Sequence, residues 1–330
     1  FTAVVPLEDH RRAADYTAEK VRVATVEAVA VEGVLLLALT VGGGLAAIDA
    51  LARSFAGEGL ARDLAAFFGF LAVGAVAGLP FDLWRTFGIE AKFGFNKTTP
   101  ALFAADLAKG VLLALVLGVP VVAAFSWFVR SAGGLWWLWA WAGWVAFSLL
   151  LAAAFPRWIA PLFNRFTPLE DGELRRRIES LVSRCGFRAS GLFVMDGSRR
   201  SSHGNAYFTG LGRTKRIVFF DTLVERLSAD EVEAVLAHEL GHYARGHIPR
   251  LLAVRFGIAF ALLAALGWAA GEPAFAAALG LAHPVSPGTL LAAFLLVVPV
   301  IAFPLQPLAS VLSRRHEFEA DAFEARHSSA

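Results

Sequence analysis

Six stretches of the chain are apolar for long enough to cross a hydrocarbon core, which takes roughly 20 helical residues. They cover about 23–49, 64–80, 108–129, 135–155, 251–270 and 288–306. The first carries Glu27 and Glu32, carboxylates that belong against protein or water rather than lipid. The second is short, which predicts a tilted or partly interfacial segment. Residues 156–250 have a different pattern. From 171, DGELRRRIESLVSRCGF sets Leu174, Ile178, Leu181 and Val182 at the spacing of an amphipathic helix, with Gly186 placed to cap its end. GLFVMDGS from 191 and KRIVFFDTL from 215 predict strands. SADEVEAVLAHELGHYARGH from 228 opens with Ser228 three residues before Glu231, a capping box in front of a long helix. The expected organisation is four spans in 1–155, a soluble domain over 156–250, two further spans in 251–306 and a terminal segment, 307–330.

Composition agrees with a membrane class: 57% of the 330 residues are hydrophobic and 18% charged, with a mean hydropathy of +0.59. A net charge of +2 provides no global field for nucleic acid, which is excluded as a partner. Cys185 is the only cysteine, so any metal must be held by histidine and carboxylate. With six spans, the N-terminal arm, 81–107, 156–250 and the C-terminal segment share one side. That side holds Arg11, Arg12, Lys92, Lys97, Arg175, Arg176, Arg177, Arg314 and Arg315, whereas the opposite loops have little beyond Arg53, Arg62 and Arg130. The positive-inside rule then turns the 156–250 domain to the cytoplasm. Richness in alanine, glycine and arginine over lysine matches a GC-rich bacterial genome, so the expected location is the cytoplasmic (inner) membrane, multipass. The chain reads as a fragment of a longer one.

The chemistry concentrates in AHELGHYARGH, 237–247. Positions four apart on an α-helix differ by about 40° in azimuth, so His238 and His242 project from one face and can hold one Zn²⁺. Glu239 beside them can take a proton from a water that the metal has acidified. A catalytic zinc needs a third protein ligand. His247, nine residues after His238 and about 180° round a continuous helix, points away and is expected to be solvated or interfacial. SRRHEFEADAFEA from 313 supplies a better candidate: Glu317 and Asp321 share a helical face on the same side of the membrane. Either carboxylate can ligate, the other receiving the spare N–H of a ligand histidine. Glu319 and His316 project elsewhere.

These two segments, with SRRSSHGNAYFTGLGRTKRIVFFDTL from 198 and FGIEAKFGFNKTTPALFAADLAKG from 87, resemble the integral-membrane zinc endopeptidases of the type I CAAX prenyl protease family. The similarity runs from about residue 8 to the end. It implies a mostly α, multipass transmembrane helix bundle around an intramembrane chamber, with a cytoplasmic zincin-like metallopeptidase domain containing a small β-sheet. It implies one zinc per chain on His238, His242 and Glu317, with Glu239 catalytic and Asp321 supporting a ligand histidine. The expected partners are membrane lipids and a peptide or protein substrate, lipidated or not. The family has seven spans against six here, which fits a helix missing before Phe1. It also continues past the position of Ala330 into a segment with a His-Pro pair, whose histidine helps stabilise the oxyanion.

By the same resemblance HGNAYFTG, 203–210, is a substrate-contacting strand, with Asn205 and Ala206 as the contact. GLWWLWAWAGW from 134 is assigned to interfacial anchoring, FGFNKTTP from 93 to a structured loop touching headgroups, and GGG at 42–44 to helix packing or a bend. The expected function is hydrolysis of peptide bonds near the C-terminus of peptides or prenylated CaaX-type proteins. The alternatives are a general membrane quality-control protease, or a transporter or scaffold in which the histidine pair is incidental.

Overall fold

Apolar periodicity becomes helix over most of the chain. The computed structural model describes residues 6–187, 190–210 and 216–327. α1 (Leu7–Glu27) passes through a π-helical turn into α2 (Val34–Leu39), and this run is bent by 63° from α3 (Gly44–Ala56). α4 (Leu60–Leu83) runs on through a second π-helical stretch to Glu90. α5 (Pro100–Ser131) and α6 (Trp136–Ala154) follow, and α7 (Ala160–Phe163) ends the run of α6. Beyond them lie α8 (Glu173–Arg184), α9 (Asp221–Arg226), α10 (Ala229–Ala244), α11 (His247–Ala269), α12 (Pro273–Ala278), α13 (Pro287–Ala302) and α14 (Gln306–His327). Among the described residues, five helical runs are long and apolar enough to cross a membrane, or six if the bent pair is one span. The chain is thus a mostly α, multipass membrane protein with one small sheet.

Two expectations need correction. The run over 23–49 is not one straight span, because the three glycines bend it. Gly43 has φ 72°, a left-handed conformation that costs glycine nothing, and a Cβ on Gly42 would lie 2.6 Å from the Ala38 carbonyl oxygen. The run over 64–80 is not short. Its helix extends over Leu60–Glu90, 31 residues. Polar residues at both ends hid that length from hydropathy: Asp63 is paired with Arg130 at 2.5 Å, and Arg85 with Glu27.

The described residues within 1–96, 110–140 and 262–301 form one compact unit, and those within 97–109, 141–261 and 302–330 a second. In the first, Leu45, Phe67, Val122, Ala276, Ala292 and Ala293 form an apolar core. Beside it is a buried polar cluster. Asp49 accepts from the Arg62 guanidinium at 2.6 Å and from the hydroxyls of Ser286 and Thr289 at 2.8 and 2.6 Å. Asp63, fully buried, also accepts from the Gly288 N–H at 3.2 Å. A buried carboxylate is tolerable only with such partners. The cluster ties the α3–α4 hairpin to the first turn of α13, which must approach closely: a Cβ on Gly288 would lie 2.1 Å from the Asp63 carbonyl oxygen.

The second unit contains the sheet. β1 (Phe166–Pro168), β2 (Leu192–Met195), β3 (Ala206–Thr209) and β4 (Arg216–Phe220) are ordered β1-β2-β4-β3, with β2 and β4 parallel and the outer pairings antiparallel. β1 was not anticipated; three residues ending in proline carry little strand signal, and proline suits an edge. Ile178, Leu181, Ile217, Phe219, Val232, Leu236 and Leu240 pack α8, β4 and α10 into one core. Arg200 anchors α5 and the loop before it, its guanidinium donating to Asp106 on the helix at 2.8 and 3.0 Å and its carbonyl accepting from the Lys97 N–H of the loop at 3.0 Å. Of the aromatic run at 134–144, Trp139 and Trp144 are exposed, but Trp141 is committed to protein, donating to the Phe256 carbonyl at 2.9 Å.

Gly288→Ala is expected to lower the thermal unfolding midpoint, since overpacking costs about 1–3 kcal/mol. Gly74→Ala, whose Cβ meets nothing within 4 Å, should leave it unchanged. Scanning fluorimetry of the detergent-purified protein measures both, and equal midpoints would mean that the α4–α13 contact yields without cost.

Candidate metal centre

α10 begins where the sequence sets it. The Ser228 hydroxyl accepts from the Glu231 N–H at 3.3 Å, and the Glu231 carboxylate accepts from the Ser228 N–H at 2.8 Å. Such a cap contributes about 1 kcal/mol. One face of the helix is committed to the core through Val232, Leu236, Ala237 and Leu240, which leaves His238 and His242 on another. α14 packs along that helix. Gly241 makes the contact close, since a Cβ there would lie 2.9 Å from Ala320 Cα and 3.1 Å from Phe323 Cβ.

This contact brings three donors together from distant parts of the chain. The Nε2 atoms of His238 and His242 lie 3.3 Å apart, and Glu317 Oε2 is 3.4 Å from the first and 3.6 Å from the second. Ligands at 2.0–2.2 Å around a tetrahedral cation stand about 3.3–3.6 Å from one another. The triangle therefore matches three corners of such a site, and the fourth remains for water or substrate. Burial holds the His242 imidazole below its ordinary pKa, assisted by His238, His247 and His316 and opposed by Glu317. It is therefore neutral near pH 7, as a ligand must be. Burial also pushes the Glu239 carboxyl above the usual carboxylate range, with Glu317 adding to the effect and His238 opposing it.

Each imidazole is also held from behind. His238 Nδ1 is 2.9 Å from Asp321 Oδ1. His242 Nδ1 is 3.0 Å from Nδ1 of His247, whose Nε2 lies 3.1 Å from Glu319 Oε2. The expectation for His247 was therefore wrong: it is 4% exposed and packs against His242. The error came from extending α10 through Gly246, whose φ of 68° ends the helix and turns the chain so that His247 starts α11. Glu319 and His316 do face away from the donor triangle, but toward His247, on which the His316 ring stacks at 4.0 Å.

Ala206 opens β3, which pairs with β4 alone among the described residues and so forms an edge of the sheet. The Ala206 side chain is buried in the core, so only its backbone can meet another peptide.

Comparison with known proteins places this geometry. A family model described as the CAAX prenyl protease N-terminal region, with five membrane helices, matches residues 1–165, and the model of peptidase family M48 matches residues 168–329. The chain belongs to the CAAX prenyl protease family. A CAAX prenyl protease 1 homolog from Arabidopsis thaliana is 40% identical over 76% of this chain and 59% of its own length. CAAX prenyl protease 1 of Saccharomyces cerevisiae is 37% identical over 78% of this chain and 60% of its own. The crystal structure of S. mikatae Ste24p superposes with a TM-score of 0.74 at 35% identity, covering 82% of this chain and 66% of that one. This chain thus spans about three fifths of these two curated relatives. Membership in a metallopeptidase family implies a metal cofactor, and the donor triangle is where this prenyl protease relative can hold it.

Gly241→Val should part α10 from α14 and lower the metal bound per chain at least about tenfold at fixed free metal, while circular dichroism shows helix content preserved. Elemental analysis after dialysis gives the number; full metal content in this variant would mean that Glu317 reaches the histidines without the close contact.

Proposed function

We propose that this chain is a membrane-embedded zinc metalloendopeptidase that cleaves near the C-terminus of peptide or prenylated CaaX-type substrates. What carries the proposal is the convergence of His238, His242 and Glu317 on one point, with Glu239 on the same helix and raised in pKa. Two imidazoles and one carboxylate favour zinc over harder cations. Zinc held there supplies Lewis acidity for the scissile carbonyl and lowers the pKa of a water to near neutrality.

The chain's own residues account for the rest. Glu239 accepts the proton from the water and delivers it to the leaving amine, a task its raised pKa suits. Asp321 accepts from His238 Nδ1 and so keeps that ring's Nε2 lone pair directed at the metal. The substrate backbone adds to the free edge of β3 near Asn205 and Ala206, extended and antiparallel or parallel to it, which holds its carbonyl in place. With basic residues concentrated on the side of residues 156–250, the site faces the cytoplasm from the inner membrane.

Glu239→Gln should reduce cleavage at least about 100-fold, the scale of general-base catalysis, and leave one zinc per chain. Mass spectrometry of a peptide in prenylated and unprenylated forms measures turnover and cleavage site together. Faster cutting of the prenylated form three residues from its end supports the CaaX assignment. Equal cutting of both removes the lipid-specific part, and retained activity in Glu239→Gln removes the mechanism.

A further inference from the structure

His247 is not in the proposed ligand set, yet it is one of the most buried polar side chains described, at 4% exposure. Its ring is fixed on three sides. Nδ1 meets His242 Nδ1 at 3.0 Å, Nε2 meets Glu319 Oε2 at 3.1 Å, and the ring face stacks on His316 with an interplanar angle of 11°. Arg315 Nε stands 3.4 Å from the other oxygen of Glu319 and holds that carboxylate.

The protons along this line can be assigned from donor and acceptor chemistry. An ionised carboxylate only accepts, so His247 carries its proton on Nε2 and donates it to Glu319. With its proton on Nε2, His247 presents a lone pair at Nδ1. The contact between the two Nδ1 atoms needs one proton, and His242 must supply it. His242 is thereby left with its lone pair on Nε2, the nitrogen facing His238 and Glu317.

The geometry points to His247 and Glu319 as positioning residues that set the tautomer and ring orientation of His242 for the metal, with His316 holding the plane of the relay. Asp321 does for His238 in one hydrogen bond what this pair does for His242 in two. Partners of this kind typically change metal affinity 10–100-fold. The inference rests on the zinc reading above.

The test is zinc affinity, measured on the purified protein by competition with a chromophoric chelator, beside zinc content per chain. His247→Phe keeps a stacked ring of similar size and removes both nitrogens; a loss of about 10–100-fold is expected. His247→Gln offers an amide oxygen to His242 Nδ1–H and should recover most of that loss. A merely structural role gives the reverse order, with phenylalanine tolerated better than glutamine, and that order overturns the inference. So does wild-type affinity in His247→Phe. If that variant does not fold, Glu319→Ala, at a partly exposed site, takes its place: several-fold weaker binding supports the relay, and unchanged affinity overturns it. Wild-type protein that binds no zinc removes the zinc reading instead, and this inference with it.

Discussion

The approach of α10 to α14 at Gly241 is the constraint on which the site depends. Helix axes usually stand 8–10 Å apart, with side chains setting the distance. Here glycine faces Ala320, and a single added Cβ would meet backbone at 2.9 Å. The two helices are in matched register around that contact. His238 and His242 lie three residues before and one after Gly241; Glu317 and Asp321 lie three before and one after Ala320. Each helix thus presents an i, i+4 pair to the other across its point of closest approach. Phe323 extends the same interface into the core of the soluble-patterned unit, so the packing that stabilises that unit also sets the donor distances.

The site was legible in the sequence to the extent that it lies on one helix. Ser228, Glu231, His238, Glu239 and His242 form a local pattern, and a 3.6-residue period suffices to relate them. Spacing made Glu317 and Asp321 legible as a pair but left their roles to the family resemblance, because which carboxylate faces Nε2 and which Nδ1 depends on the rotation of α14 about its axis. His247 was misread for a definite reason. A nine-residue offset means opposite faces only if the helix is unbroken, and Gly246 ends it. The glycine was the available signal, together with Pro249 two residues after His247, since proline belongs to the first turn of a new helix. In the membrane-spanning part, hydropathy found the runs but misjudged lengths wherever a charged residue at a run's end was neutralised by a partner distant in sequence, as with Asp63 and Arg130.

Two buried polar clusters in so apolar a chain invite comparison. Around Asp49 the carboxylate is matched by the Arg62 guanidinium and two hydroxyls, each within hydrogen-bond distance. That cluster is balanced, and its role is to join helices. Around His238 the balance is different. Burial raises the Glu239 carboxyl and Glu317 adds to it, while burial depresses the His242 imidazole and three histidines add to that. Neighbours that work against one another in this way make poor structural glue. They make a good donor set, because a divalent cation between His238, His242 and Glu317 would turn the oppositions among these groups and Glu239 into attractions.

α14 contributes more to this arrangement than its single candidate ligand suggests. Glu317, Glu319 and Asp321 lie at alternate positions over five residues, so Glu319 leaves the face that Glu317 and Asp321 share, and the three reach different atoms: His238 Nε2 with His242 Nε2, His247 Nε2, and His238 Nδ1. Two of the three act behind the imidazoles. Since an imidazole offers its lone pair on one nitrogen only when the proton is held on the other, the helix that supplies the third donor also determines whether the first two are donors at all. A rotation of α14 by one residue, about 100°, would displace all three carboxylates together. The centre is therefore specified less by the two histidines, which any exposed helix could carry, than by the angle at which one acidic helix is clamped against them.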